Sequence, residues 1–305
     1  MELMIDDSAT AQLSGAIGQW DRGATCLAAL AVAADSEATG SLAAAAREVM
    51  TAAGLGAVLA APERLPFSPA QLRGMAASPL VQAAAVVGDG YESWSAYSDA
   101  AFTAQGQASG STAALFARFV LPHFGDLADR LARPGARMLD VGTGIGALAA
   151  GFAHTFPHLY VTGIDVMPRV LEIARTHLRA SPVAARVGLR QQDVAELTDE
   201  ACYDLAWIPA PFVPEPAINT GLDRIVTALR PGGLLMIGHG RDGGTDLDTA
   251  ITRFKTVVYG GTALDGPSAV NLLNRHHLTC VQTIATPPGA PAITTGQKPA
   301  PDRRT

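Results

Sequence analysis

An aspartate followed by three closely spaced glycines is the part of the sequence whose residue types suggest ligand chemistry. Asp140 precedes the loop Gly142, Thr143, Gly144, Ile145 and Gly146. Glycine lacks a side chain, so the backbone can turn sharply and approach a ligand closely. A dinucleotide-binding loop instead has two residues between its second and third glycines and holds a pyrophosphate. A carboxylate would repel that group, so Asp140 favours a ligand that carries positive charge.

Two further acids follow apolar segments that are predicted to be strands. Asp165 ends the segment 160–165, and Asp193 follows the segment 187–191. A carboxylate in the place of Asp165 can accept hydrogen bonds from both hydroxyls of a ribose. Asp193 can accept from an adenine amino group, and the backbone amide of Val194 can meet a ring nitrogen. The ligand is therefore expected to contain a nucleoside and a cation.

The elements that must position these acids alternate along the second half of the chain. Residues 133–305 read as strands separated by helices, with strands at 137–141, 160–165, 187–191, 203–208, 234–238, 279–285 and 292–295. Residues 1–132 read as helices and turns, with helices at 8–20, 21–34, 41–53, 70–87, 90–101 and 111–131, and a loop at 105–111. The pattern predicts an α/β fold with a doubly wound, mainly parallel, Rossmann-like sheet and an N-terminal all-helical domain. The predicted domains are 1–132 and 133–305.

Four motifs in this order resemble the successive motifs of class I S-adenosylmethionine-dependent methyltransferases. They are the Asp140 glycine loop, Asp165, Asp193 and the stretch Leu229-Arg230-Pro231-Gly232-Gly233. The resemblance covers residues 137–295 and implies a seven-stranded sheet with a reversed last strand. It also implies S-adenosyl-L-methionine as cofactor, S-adenosyl-L-homocysteine as product and no metal. The residues expected to bind the cofactor are Asp140, Gly142, Thr143, Gly144, Gly146, Asp165, Val166, Gln192, Asp193, Val194 and Trp207.

The same resemblance implies that the fourth predicted strand and the loop after it lie nearest the transferred methyl group. The Asn/Asp-Pro-Pro-Tyr motif of N-methyltransferases and the His-Asp-Trp segment of plant-type O-methyltransferases are absent there, where the sequence reads Ile208-Pro209-Ala210-Pro211-Phe212. Methyl transfer chiefly needs alignment and exclusion of water, and a base only when the acceptor must lose a proton. His239, Tyr91 and Glu215 are the candidate catalytic residues. The alternatives are a loop histidine for His239 and a helix-capping acid for Glu215.

Aromatic residues cluster just before the glycine loop in a chain that is otherwise poor in them. Positions 91, 94 and 97 would share one face of a helix. They would form either a packing seam between the domains or an aromatic wall over the cationic ligand. The expected substrate and lid residues are Trp94, Tyr97, Phe102, Pro209 and Phe212.

Composition excludes several classes of function. The net charge is −6 and the pI about 5.6, which argues against nucleic-acid binding. Three widely spaced cysteines suggest neither a disulfide framework nor a metal site. The acidic N-terminus and the short apolar run 24–34 predict neither a signal peptide nor a membrane span. A cytoplasmic protein without a membrane partner is expected.

The sequence therefore predicts an enzyme that transfers a methyl group from S-adenosylmethionine to a small organic molecule, in bacterial specialised metabolism. The helical domain would cover the pocket, and it could join two copies in a homodimer. Two alternatives remain open at this level. The bound cofactor could serve a rearrangement or cyclisation without methyl transfer, or a binding module could sense it. The sequence leaves the methyl acceptor, its O, N, C or S atom and any base unassigned.

Overall fold

A seven-stranded sheet forms the centre of the computed structural model, which describes residues 7–88, 94–241, 245–287 and 290–300. The strand order is β3-β2-β1-β4-β5-β7-β6. Strands β1 to β5 are parallel, and β7 runs antiparallel between β5 and β6. The strands are β1 Arg137–Val141, β2 Tyr160–Asp165, β3 Val187–Gln191, β4 Tyr203–Pro209, β5 Leu229–His239, β6 Thr279–Ile284 and β7 Ala292–Gln297. This topology confirms the predicted fold class.

Helices precede the sheet in the chain and also connect its strands. Those before it are α1 Asp7–Ala33, α2 Gly40–Ala52, α3 Gly56–Leu59, α4 Pro69–Gly88, α5 Asp99–Ser109, α6 Thr112–Leu115 and α7 Gly125–Leu131. Those after β1 are α8 Ala147–Thr155, α9 Pro168–Arg179, α10 Glu215–Ala228, α11 Asp246–Tyr259 and α12 Gly266–Arg275. A π-helical turn at Phe116–Val120 and a 3₁₀ turn at Leu121–His123 break the predicted helix 111–131 near Pro122.

Two apolar cores lie on opposite faces of the sheet, because successive side chains of a strand point to opposite sides. Met138 and Leu205 belong to the core that also holds Phe152 of α8. Leu139 and Ala206 belong to the core on the other face, under α10 and α12. Both faces are covered by helices, which explains why the central strands read as continuous apolar runs rather than alternating ones.

The helices before the sheet differ in two places from the sequence prediction. Residues 7–33 form one helix instead of two, and Gly15, Gly18 and Gly23 have open space around them. The predicted helix 90–101 is wrong, at least over its described part. A 3₁₀ turn at Trp94–Ala96 is followed by α5, whose first turn is capped by the Ser98 hydroxyl at 3.3 Å from the Ala101 amide.

The predicted loop 105–111 is also wrong, because α5 continues to Ser109. Gly106 of α5 is needed because the helix packs closely at this position, and not because the chain turns there. A Cβ atom there would lie 2.1 Å from Cγ1 of Ile145 in the glycine loop. The helix before the sheet thus rests directly on the loop expected to bind the cofactor.

A buried ion pair anchors the start of the sheet. Asp204 is 3% exposed, and its carboxylate lies 2.6 Å from Nη1 of Arg230 and accepts the backbone amide of Arg137 at 3.0 Å. One carboxylate thereby joins β1, β4 and β5. Its location at the amino ends of these strands, away from the ligand side, fits a structural role.

Replacing this acid should destabilise the fold. We expect Asp204→Ala to lower the free energy of unfolding by about 2 to 4 kcal/mol, since it leaves Arg230 and the Arg137 amide without their partner. Asp199→Ala is the control, because its pair with Arg190 is more exposed, and should cost less than about 1 kcal/mol. Urea unfolding followed by circular dichroism measures both. Equal losses in the two variants would contradict the anchoring role.

Candidate functional site

A cavity of about 780 Å³ opens at the carboxyl ends of the parallel strands. This volume is in the range of small-molecule and cofactor sites. Its floor comes from the ends of β1, β2, β4 and β5, and its cover from α4, α5 and the turn at Trp94–Ala96. Residues from both predicted domains therefore line one site.

The glycine loop adopts a conformation that favours glycine at each of its three glycines. Their φ angles are +64° at Gly142, +55° at Gly144 and +73° at Gly146, in the left-handed region that side chains disfavour. Gly142 and Gly144 line the cavity with Thr143. Gly146 instead caps α8 and faces Leu178, 3.3 Å from where a Cβ would lie. Gly146 therefore shapes the loop and does not line the cavity.

Asp165 joins the end of β2 to this loop. One carboxylate oxygen accepts the Gly144 amide at 3.0 Å, and the other accepts the Met167 amide at 3.0 Å. Burial raises the pKa of Asp165, while the amides of Met167, Gly144 and Val166 oppose that rise. Asp165 lines the cavity. The carboxylate is therefore held in place by backbone amides before any ligand binds.

Asp140 is the most deeply buried acid of the site. It is 1% exposed and accepts the Thr143 hydroxyl at 2.7 Å. Burial raises the pKa of Asp140 to about 7, helped by the nearby charge of Asp165 and opposed by the Thr143 hydrogen bond. Around neutral pH this carboxyl is poised between its two forms, and a cationic ligand would favour the ionised one.

The raised pKa of Asp140 predicts that the affinity for a cationic cofactor depends on pH. Because the pKa of Asp140 is raised to about 7, the carboxyl is mostly protonated at pH 6 and mostly ionised at pH 8. We expect the affinity for S-adenosylmethionine to rise with pH across this window, by up to about tenfold per pH unit below 7, with proton release on binding. Calorimetry in two buffers of different ionisation enthalpy measures both quantities. A flat profile, or one that Asp140→Asn leaves unchanged, would contradict it.

The remaining predicted cofactor residues also line the cavity: Val166, Gln192, Asp193, Val194 and Trp207. Asp193 accepts the Ala195 amide at 2.9 Å, and Gln192 donates its backbone amide to the Asp165 carbonyl at 3.0 Å. Val194 packs closely on α10, where a Cβ at Gly221 would lie 2.7 Å from it. The loop after β3 is thus fixed on both sides, with the Asp193 carboxylate at the cavity.

Of the three candidate catalytic residues, the structure places one at the cavity. His239 is 2% exposed and lines the cavity, with Nδ1 2.6 Å from the Gly240 carbonyl and Nε2 2.7 Å from the Thr294 hydroxyl. Both nitrogens have partners, so proton transfer would require one of these bonds to open. Glu215 lies outside this cavity and lines a second one of about 240 Å³ at the start of α10. Tyr91 lies outside the described residues.

The aromatic candidates separate into lining and supporting residues. Trp94, Phe102, Pro209 and Phe212 line the cavity. Tyr97 is absent from the lining but is 3% exposed and packs edge-on against Trp94, with ring centroids 4.8 Å apart. Trp94 therefore reaches the cavity, whereas Tyr97 belongs to the packing behind it.

The sequence interpretation missed a set of lining residues contributed by α4 and α11. Ser78 and Gln82 of α4 and Tyr259 of α11 all face the cavity. No local spacing marks them, because their relation arises only when α4 packs against the end of α11. Among the described residues no cluster of three or more histidine, cysteine or acidic side chains has the geometry of a metal site.

Comparisons with known proteins show what this chain is similar to. Residues 138–233 match the family model of a methyltransferase domain. A ubiquinone biosynthesis O-methyltransferase of Xylella fastidiosa is 34% identical over 122 residues, which cover 36% of this chain and 44% of that protein. A carboxy-S-adenosyl-L-methionine synthase of Aeromonas salmonicida is 28% identical over 123 residues, covering 39% and 50%. The chain thus spans half or less of these curated relatives.

The similarity of fold extends over the whole chain. The structure of an O-methyltransferase family protein from Burkholderia thailandensis is 14% identical, with a TM-score of 0.59, covering 98% of this chain and all of the other. The family match and the motif geometry support a class I S-adenosylmethionine-dependent methyltransferase domain over residues 138–233, and the structural likeness shows a shared fold. The helices before the sheet belong to the shared fold.

Proposed function

We propose that the protein transfers a methyl group from S-adenosylmethionine to a small organic acceptor. The observation that carries this proposal is the fixed pair of the glycine loop and Asp165, which opens into a cavity continuing past the ends of β4 and β5. Such a cavity has room for an acceptor beside the cofactor. The O-methyltransferase name of one relative supports a hydroxyl acceptor in particular.

The residues present suit this cofactor. When bound, it supplies an electrophilic methyl group on a sulfonium. Asp140 and Asp165 place negative charge beside the glycine loop, where the cationic end is expected. Asp165 and Asp193 would hold the ribose and the adenine. The helices α4 and α5 cover the cavity and exclude water, and the chain's main contribution is alignment of donor and acceptor.

Methyl incorporation tests the proposal directly. The full chain is incubated with methyl-labelled S-adenosylmethionine and a panel of small hydroxy, amino and thiol compounds, and S-adenosylhomocysteine release is measured. We expect release that depends on one acceptor class. Tight cofactor binding with no release for any acceptor would count against methyl transfer. It would favour the second candidate, a different reaction of the bound cofactor, which the synthase name of another relative supports.

We propose that two copies associate through the helices before the sheet. Leu13, Ile17 and Trp20 of α1 share one helical face and are 59%, 54% and 61% exposed, and Leu42 of α2 is 67% exposed. Apolar faces of this kind are typical of protein interfaces. Ile17→Glu should shift a dimer towards monomer in sedimentation velocity, whereas Phe254→Glu on α11 should leave it unchanged. A monomeric parent chain would refute the proposal.

We further propose a cytoplasmic enzyme of bacterial specialised metabolism. Cys26, Cys202 and Cys280 are all free thiols, which suits a reducing compartment. No helix in the described ranges has the length and apolarity needed to cross a membrane. The alanine-rich composition is similar to that of proteins from high-GC bacteria, which supports the metabolic setting.

A further inference from the structure

The strand order divides the cavity into two halves. β2 and β3 lie on one side of β1, and β4 and β5 on the other. Asp165 and Asp193 follow β2 and β3, so they define the nucleoside half. Phe212 and His239, which follow β4 and β5, line the opposite half. An acceptor of the proposed methyl transfer must lie in this second half.

Three aromatic rings form a continuous wall in the acceptor half. Phe212 and Tyr259 are stacked, with centroids 4.5 Å apart and an interplanar angle of 19°. Trp94 contacts both, at 5.2 Å from Phe212 and 5.4 Å from Tyr259. All three rings line the cavity. A flat ring placed against such a wall gains stacking or edge contacts beyond its apolar burial.

The wall is held rigidly by the chain on either side of it. A Cβ at Gly261 would lie 2.0 Å from the Pro211 carbonyl oxygen, so the end of α11 lies directly on the loop after β4. Thr262 then donates its amide to Ala210 at 2.8 Å and its hydroxyl to Val213 at 2.8 Å. Because Phe212 and Tyr259 are fixed together, little ordering is left for a ligand to impose.

The polar edge of the wall is neutral and internally satisfied. Tyr259 donates its hydroxyl to Oε1 of Gln82, which is 6% exposed. Gln82 donates from Nε2 to the Ser78 hydroxyl at 2.7 Å and to Oε1 of Gln105 at 2.8 Å. Burial raises the pKa of Tyr259, so its phenol stays protonated. These groups form an uncharged hydrogen-bonded cluster that joins α4, α5 and α11.

The charges near the wall do not suit a charged ring. Among the described lining residues, the carboxylates Asp140, Asp165 and Asp193 lie at the cofactor end. In the acceptor half, His239 has both nitrogens bonded and Lys255 is exposed. A charged ligand against the wall would therefore lose hydration without a buried side chain of opposite charge to pair with. A cation would gain only its attraction to the ring faces, which is smaller than the hydration that it loses.

We infer that the wall formed by Trp94, Phe212 and Tyr259 binds a flat, uncharged aromatic acceptor. This inference rests on the proposed function insofar as the ligand is a methyl acceptor. Binding of a flat ring to the wall can nevertheless be measured without turnover. The neutral wall favours an uncharged ligand over a charged one, and the stacked pair favours a planar ligand.

Three probes that share one ring system test the inference. The full chain is saturated with S-adenosylhomocysteine and titrated at pH 7.5 with 2-naphthol, 2-naphthoate and 2-naphthylmethylammonium in a calorimeter. We expect the neutral naphthol to bind at least about tenfold more tightly than either ion. Equal or tighter binding of an ion, or no binding of the naphthol, would overturn the inference.

Matched variants locate the probe on the wall. Phe212→Leu should weaken naphthol binding by about tenfold, in line with the energy of one aromatic contact, and keep S-adenosylhomocysteine affinity within twofold. Phe254→Leu is the control, because Phe254 on α11 is 55% exposed and lies outside the lining. If Phe212→Leu fails to fold, Trp94→Leu replaces it. Unchanged naphthol affinity in the folded variant would refute the location.

The two proposals can fail separately. Naphthol binding with no methyl transfer to any acceptor would support the proposed aromatic site and refute the proposed reaction. Methyl transfer to a charged or non-planar acceptor, with no naphthol binding, would refute the proposed aromatic site and support the proposed reaction.

Discussion

Asp165→Ala is expected to weaken binding of S-adenosylhomocysteine at least about a hundredfold. In the proposed site this carboxylate accepts two charge-assisted hydrogen bonds from the ribose, each worth about 1.5 to 3 kcal/mol. It also orients the Gly144 amide at 3.0 Å, so its loss loosens the glycine loop as well. Two contributions therefore disappear with one side chain. Calorimetric titration of the variant measures the loss.

The controls for this variant separate binding from folding. Asp126→Ala removes an exposed acid of α7 and should leave the affinity unchanged. Asp165→Asn keeps the shape but presents an amide N–H to a backbone N–H, so it should fall between wild type and alanine. Circular dichroism should show the same helix content in all three variants. An affinity of Asp165→Ala within twofold of wild type would refute the assignment of the ribose site.

Gly144→Val should weaken cofactor binding about as much as Asp165→Ala does, but for a different reason. Gly144 has φ +55°, and the protein atom nearest to the point where a Cβ would lie is the Gly142 carbonyl oxygen at 4.0 Å. A side chain there meets no crowding from the protein but enters the cavity that Gly144 lines. We expect at least about a hundredfold weaker binding of S-adenosylhomocysteine by calorimetry.

The cost of backbone strain in this variant can be measured independently. Gly135, before β1, has φ +87°, open space around it and no place in the cavity lining. Gly135→Val therefore imposes similar strain, about 1 to 2 kcal/mol, without obstructing a ligand. It should lose stability and keep its cofactor affinity. A comparable loss of affinity in both variants would show that strain, and not obstruction, weakens binding.

The cofactor half of the site could be predicted because its signals are local. Asp140, the glycines and Asp165 lie at the ends of strands that the apolar pattern already marks. The parallel sheet then brings these ends to one edge. The seven strands and a reversed last strand followed from the family resemblance, whereas the order of the strands was not predicted, since apolar periodicity alone does not determine it.

The acceptor half could not be predicted in the same way. Gln82 and Tyr259 are distant in sequence, and their hydrogen bond exists only because α4 packs on the end of α11. Gly106 misled the prediction, because a glycine needed for close packing reads like a glycine needed for a turn. Glu215 follows a strand end in sequence but begins a helix whose first turn faces the smaller cavity.

The contact between Gly106 and Ile145 joins helix α5 to the glycine loop, and we expect it to couple the two halves of the cavity. Helix α5 carries Phe102 and Gln105 in the lining, and its Gly106 packs directly against the side chain of Ile145 in the glycine loop. A ligand that shifts α5 must also shift that loop. Occupancy of either half should then change affinity at the other by the same factor, because linkage is reciprocal. The cofactor and the acceptor would bind as cooperative partners, and the helices before the sheet would transmit the coupling.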